Sequence, residues 1–104
     1  MIRHIIMFKL KDFGSEDIKK QKLTELKKMI DELAFSIREV VSIEAGINIS
    51  TRDIAYDLVL VSEFRTEEDL RTYAAHPEHR KVVDFLKDIK LSSAVVDYPI
   101  NSNF

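Results

Sequence analysis

Two stretches of this chain are apolar on both of their alternating faces, and few folds can use such strands. In Ile2–Lys11 an extended backbone puts Ile2, His4, Ile6, Phe8 and Leu10 on one face and Arg3, Ile5, Met7 and Lys9 on the other. In Ala55–Arg65, Tyr56, Leu58, Leu60 and Phe64 face one way while Ala55, Val59 and Val61 face the other. These are central strands, and both sides of the sheet they build need cover.

The rest of the chain supplies cover for one side. Asp12-Phe13-Gly14 has turn chemistry, and Ser15 followed by Glu16 and Asp17 predicts a helix start. From there Ile18, Leu23, Leu26, Ile30, Leu33 and Ile37 recur at helical spacing, an amphipathic helix of about six turns. Its lysines alternate with acids and read as a solvated face. Val40–Ser50 is a second strand with Val41, Ile43, Ala45, Ile47 and Ile49 on one face, where Gly46 suggests a bulge or the close approach of another backbone. Thr66-Glu67-Glu68-Asp69 resembles a capping box and opens a second helical region, which resumes after Pro77 through Val82, Val83, Phe85 and Leu86. Leu91–Ile100 is a fourth strand ended by Pro99, with a polar tail closing on Phe104. The order β-α-β-β-α-β predicts an α+β, ferredoxin-like, four-stranded antiparallel sheet with both helical regions on one face.

At 104 residues the expectation is one domain, residues 1–104. Two helical regions leave the second face of its sheet bare, a patch of several hundred Å² that monomers seldom expose. A second copy packed face to face is expected, making a homodimeric α/β barrel. A net charge of −2 gives no basic footprint for nucleic acid, and the third strand lacks the glycines and stacked aromatics of an RNA-recognition sheet. With no cysteine, disulfides, thiolate zinc and cysteine nucleophiles are excluded. No segment approaches the roughly 20 apolar residues that span a bilayer, and none reads as a signal peptide, so a cytoplasmic protein is the default.

Chemistry concentrates in Tyr73–His79, YAAHPEH, which holds two of the three histidines. Pro77 removes a backbone donor and pushes His76 off helical angles, predicting a helix that stops near Ala75 and restarts with Pro77 at its first position. His76 then caps the new helix and His79 sits in its first turn. An unbroken helix would separate Tyr73 and His79 by about 120° around its axis; a break can bring them to one cavity. Three readings compete. The histidines can be caps with Tyr73 a packed aromatic. With His4 they can ligate a metal, although His-x-x-His without a further committed ligand is a weak signal. Or His79 removes a proton alpha to a carbonyl while Tyr73 donates to the developing oxyanion.

IRHIIMFKLK at the start, YDLVLVSEFRTEEDLRTYAAHPEHRKVV in the second half and VVDYPI near the end resemble the stress-responsive α/β-barrel (Dabb) family over nearly the whole chain. The resemblance implies a ferredoxin-like homodimeric barrel. It also points to the family's plant polyketide cyclases related to olivetolic acid cyclase, which close a linear poly-β-ketone without cofactor. By that likeness Tyr73 and His79 are the catalytic pair and His4 lines the pocket; His76, the candidate cap beside them, is expected at the substrate pocket as well. Those cyclases place a tyrosine on the first helix, where this chain has no aromatic residue until Phe35, implying a different or smaller pocket. Two functions follow: cofactor-free acid/base catalysis (lyase, isomerase or cyclase) on a small carbonyl compound, or a non-catalytic, stress-associated dimer that is structural or binds a small apolar ligand. Neither requires a metal.

Overall fold

The computed structural model describes residues 1–100; the chain end at Phe104 lies outside the described residues. Its elements run β1 (Ile2–Leu10), α1 (Glu16–Ser36), β2 (Val40–Ile47), β3 (Leu58–Phe64), α2 (Glu67–Ala75), α3 (Pro77–Ile89) and β4 (Lys90–Pro99). The sheet order is β2-β3-β1-β4, with all neighbours antiparallel. The two strands that are apolar on both faces therefore lie side by side at its centre, as their sequence demands.

Each helix starts where a side chain can replace a missing backbone partner. Ser15 Oγ accepts from the Ile18 amide at 3.4 Å, and Thr66 Oγ1 accepts from the Asp69 amide at 3.0 Å. α1 buries Leu23, Leu26, Ile30 and Leu33 against the face carrying Phe8, Leu10, Leu58, Leu60 and Phe64, and α3 adds Val82, Leu86 and Ile89. Ile18, placed by periodicity on the same stripe, is instead 42% exposed, because it lies about 100° around the axis from the centre of the buried stripe, where Lys19 stands.

β2 departs from simple alternation. Its register on β3 shifts between Val40 and Ser42, so Val40 joins Ile43 and Ala45 on the core side and Val41 turns outward. The bulge thus lies at the start of the strand and not at Gly46. What approaches Gly46 is a side chain: a Cβ there would meet Val59 Cγ1 at 3.3 Å.

β3 begins at Leu58, three residues later than expected, because polar side chains take the backbone bonds of the preceding loop. Asn48 Oδ1 accepts from the Ser50 amide at 2.9 Å and Ser50 Oγ from the Arg52 amide at 3.2 Å. Asp57 then ties the loop to the core: one carboxylate oxygen accepts from the Leu10 amide at 2.7 Å and the other pairs with Lys19 Nζ at 3.1 Å. Both side chains are largely shielded, so Asp57→Ala is expected to cost about 1.5–3 kcal/mol in urea unfolding. An unchanged midpoint would remove Asp57 from the set of stabilising contacts.

Candidate functional site

The break at Pro77 positions the site. α2 ends at Ala75, α3 begins at Pro77, and His76 serves both ends: its backbone N–H reaches the Tyr73 carbonyl and its Nδ1 accepts from the Glu78 amide at 3.1 Å. The expected cap is present, and His76 spends one ring nitrogen on it. The reset between the helices brings the Tyr73 and His79 rings to 4.5 Å between centroids, tilted by 54°. His4, from the central strand β1, meets Tyr73 edge-on at 6.4 Å. The structure thus brings His4, Tyr73 and His79 together, with His76 behind them at the helix joint.

His79 and Tyr73 hold complementary groups. His79 Nδ1 lies 3.1 Å from the Ala74 carbonyl oxygen, which can only accept, so Nδ1 carries the proton and Nε2 keeps its lone pair. Burial holds the His79 pKa below the usual imidazole value. His4, Arg80 and His76 reinforce this, and the Ala74 carbonyl opposes it. Tyr73 is only 1% exposed and rests on Phe64 at 4.9 Å between centroids. Burial pushes its pKa up, so the phenol stays protonated at neutral pH. Its hydroxyl is buried without a hydrogen-bond partner among the described residues. An orphaned buried polar group costs about 1–3 kcal/mol.

A fourth member was missed by sequence reasoning. Asp97 lies directly across the β1–β4 ladder from His4, and its Oδ1 is 2.5 Å from His4 Nδ1. The signal was present in VVDYPI as a carboxylate breaking an apolar strand, but only the register of β4 on β1 connects it to His4. Asp97 fixes the His4 ring and leaves Nε2 as the nitrogen open to another partner.

The surroundings are apolar and partly open. Around α3, Phe85 lies about 60° to one side of the buried Val82, and its ring lies 5.9 Å from Lys22 Nζ of α1. His79 and Val83 lie about 60° and 100° to the other side, where the His79 ring meets Tyr73 of α2. No helix packs closely on β4, so Val95, opposite Ile6 in the ladder, is 61% exposed. A cleft of about 260 Å³ between α2 and β4, lined by Ile2, Glu67, Leu70, Arg71, Asp97, Tyr98 and Pro99, reaches Asp97 from outside. Phe35, the first aromatic after Phe13, is 92% exposed and supplies no aromatic wall. Among the described residues no group of three or more His, Asp or Glu side chains is arranged to hold a metal ion. No helix among them is long and apolar enough to cross a membrane.

A four-stranded antiparallel sheet with its helices over one face, in this strand order, defines a ferredoxin-like α+β protein. The chain belongs to the stress responsive A/B barrel domain family, whose model matches residues 2–100. It is 31% identical over 101 residues to the stress-response A/B barrel domain-containing protein DABB1 of Arabidopsis thaliana, covering 94% of this chain but 46% of that one. The chain thus spans about half the length of that curated relative. Among solved structures it resembles a dimeric protein of unknown function and ferredoxin-like fold from Bacteroides fragilis, at 33% identity and TM-score 0.88 over 95% of both chains. The hydroxynitrile lyase of Passiflora edulis shares the fold at 17% identity and TM-score 0.79, over 99% of this chain and 95% of the lyase.

Proposed function

We propose that the protein is a cofactor-free acid/base catalyst acting on a small carbonyl compound, and that it works as a homodimer. The observation that carries the catalytic reading is the buried, unpartnered Tyr73 hydroxyl beside an imidazole with an uncommitted Nε2. A carbonyl oxygen bound there gives the hydroxyl its missing acceptor. His79 Nε2 takes the proton from the carbon alpha to that carbonyl, and the electron pair moves onto the oxygen, where Tyr73 stabilises it as an enolate. Reprotonation, elimination or attack on a second carbonyl then separates isomerase, lyase and cyclase outcomes. The Asp97-held His4 orients the substrate from the sheet side, and His76 shapes the joint.

The test is proton exchange at the alpha carbon of a panel of small β-ketones, comparing wild type with His79→Ala. The variant is expected to lose about 10²–10⁴-fold in rate. Equal rates would sink the catalytic reading, and a change in ligand affinity or melting temperature alone would leave a binding protein. The pH profile has a defined sign. The native His79 pKa lies below its unfolded value of about 6.5, so the rate holds as pH falls through that value and declines only below it. In the same interval the native state binds fewer protons than the unfolded one, so the His79 contribution to stability falls as pH drops below about 6.5.

The homodimer rests on the sheet face that no helix covers. Ile5, Met7, Val59, Val61 and Val96 share it, with Met7 37% and Val96 53% exposed. The Bacteroides relative is itself described as dimeric. Sedimentation at micromolar protein is expected to give a dimer mass; a concentration-independent monomer overturns this part.

A further inference from the structure

The sheet has two outer edges, and side chains of α1 reach around one of them. β2 is an end strand in the order β2-β3-β1-β4. In an antiparallel pair, alternate residues bond to the neighbouring strand and the others direct their backbone groups away from it. The Asn48 amide donates to the Asp57 carbonyl at 2.9 Å. Glu44 and Gly46 therefore bond inward to β3, and Ile43, Ala45 and Ile47 direct N–H and C=O outward. Ala45 is the middle of these three, and both its outward groups are taken. Asp31 Oδ1 accepts from the Ala45 amide at 3.3 Å, and Lys27 Nζ donates to the Ala45 carbonyl at 2.7 Å. Lys27 Nζ also donates to Asp31 Oδ2 at 2.9 Å, which locks the two side chains together one helical turn apart. The pair gives one residue a donor and an acceptor, as a neighbouring strand would.

We propose that Lys27 and Asp31 form a clamp that ends the sheet at β2 and so stops copies of the chain from joining edge to edge into an open-ended assembly. The hazard lies in the strand itself. VVSIEAGI carries a single charge, Glu44, among β-branched and small residues, and such a segment pairs readily when its edge is free. With Ala45 occupied, Ile43 and Ile47 are separated outward sites. The bulge between Val40 and Ser42 bends the edge just ahead of Ile43. No two consecutive outward sites remain for an incoming strand.

One closed edge is enough. Growth without end needs both edges, because β2 of one copy on β4 of the next repeats head to tail. If β2 accepts no strand, the edge pairing left is β4 on β4, a two-fold contact that closes at two copies. Stability is not what the pair chiefly supplies. Lys27 and Asp31 keep 40% and 42% of their side-chain surface in water, where an ion pair one turn apart adds little, and water would serve the Ala45 groups in its absence. What the clamp adds is occupancy of the edge. The clamp is independent of the face-to-face homodimer, which uses the flat of the sheet and neither edge.

Light scattering and thioflavin fluorescence at fixed protein concentration test the clamp, comparing wild type with the double variant Lys27→Ala, Asp31→Ala. The double variant is expected to form large assemblies at least tenfold faster. Adding Ile47→Pro blocks the edge again, since proline offers no outward N–H to an incoming strand, and is expected to return the rate to the wild-type value. A double variant that stays dispersed overturns the proposal. Assembly that Ile47→Pro leaves unchanged also overturns it, because growth would then come from unfolded chains or another surface. Should the double variant fail to fold, the wild type supplies its own readout. The Ala45 amide is expected to exchange with deuterium at least tenfold more slowly than the outward Ile43 and Ile47 amides. Equal exchange at the three positions overturns the clamp.

Discussion

Tyr73→Phe is expected to melt higher than the wild type and to lose most of its proton-exchange activity. The two effects share one cause. Among the described residues the buried hydroxyl has no hydrogen-bond partner, so removing it relieves about 1–3 kcal/mol while the ring contacts with Phe64 and His79 remain. In the proposed mechanism the same hydroxyl donates to the enolate oxygen, and loss of one such donor costs about 10²–10³-fold in rate. Thermal unfolding and alpha-proton exchange on the same preparation check both halves. A destabilised variant would mean that the hydroxyl already has a partner in the free protein. A stabilised but fully active one would move the donor role elsewhere.

Phe64→Ala is expected to give the largest loss of stability, about 3–5 kcal/mol. Phe64 is fully buried and packs under the Tyr73 ring, so truncation opens a cavity against the tyrosine. Measured in urea at fixed protein concentration, so that dimerisation does not enter the comparison, the loss would remove a large fraction of the 5–15 kcal/mol typical of a folded domain. Phe64→Leu, which keeps most of the volume, should recover much of it. If alanine and leucine cost the same, packing under Tyr73 is not what Phe64 supplies.

The element order and its helical cover were legible because they rest on local signals: apolar residues on both faces of β1 and β3, period 3.6 in α1, and polar caps at Ser15 and Thr66. The break at Pro77 was legible for the same reason, since proline acts on its immediate neighbours. The features sequence reasoning missed depend on pairing between distant residues. Asp97 meets His4 only through the register of β4 on β1. Val40 replaces Val41 on the core side because of a bulge that no composition marks. Asp57 ends the loop after β2 by reaching the Leu10 amide, a contact spanning 47 residues of sequence. For the site, proximity of Tyr73 and His79 could be expected from the helix break. The unsatisfied state of the hydroxyl could not, because it is a property of everything packed around it.

The shared cap at His76 carries a consequence for how this protein can vary. One residue closes α2 and opens α3, so the phase between the two helices is set at a joint that has no slack. Inserting or deleting a single residue there turns α3 by about 100° about its own axis, which would sweep His79 away from Tyr73 and bring a neighbour such as Arg80 or Glu78 round in its place. The tyrosine–histidine spacing is therefore quantised: it is kept whole or lost whole, with no intermediate lengths to explore. On the proposed function, adaptation to a different substrate has to come from residues away from the joint, such as Leu70 in the cleft beside Asp97.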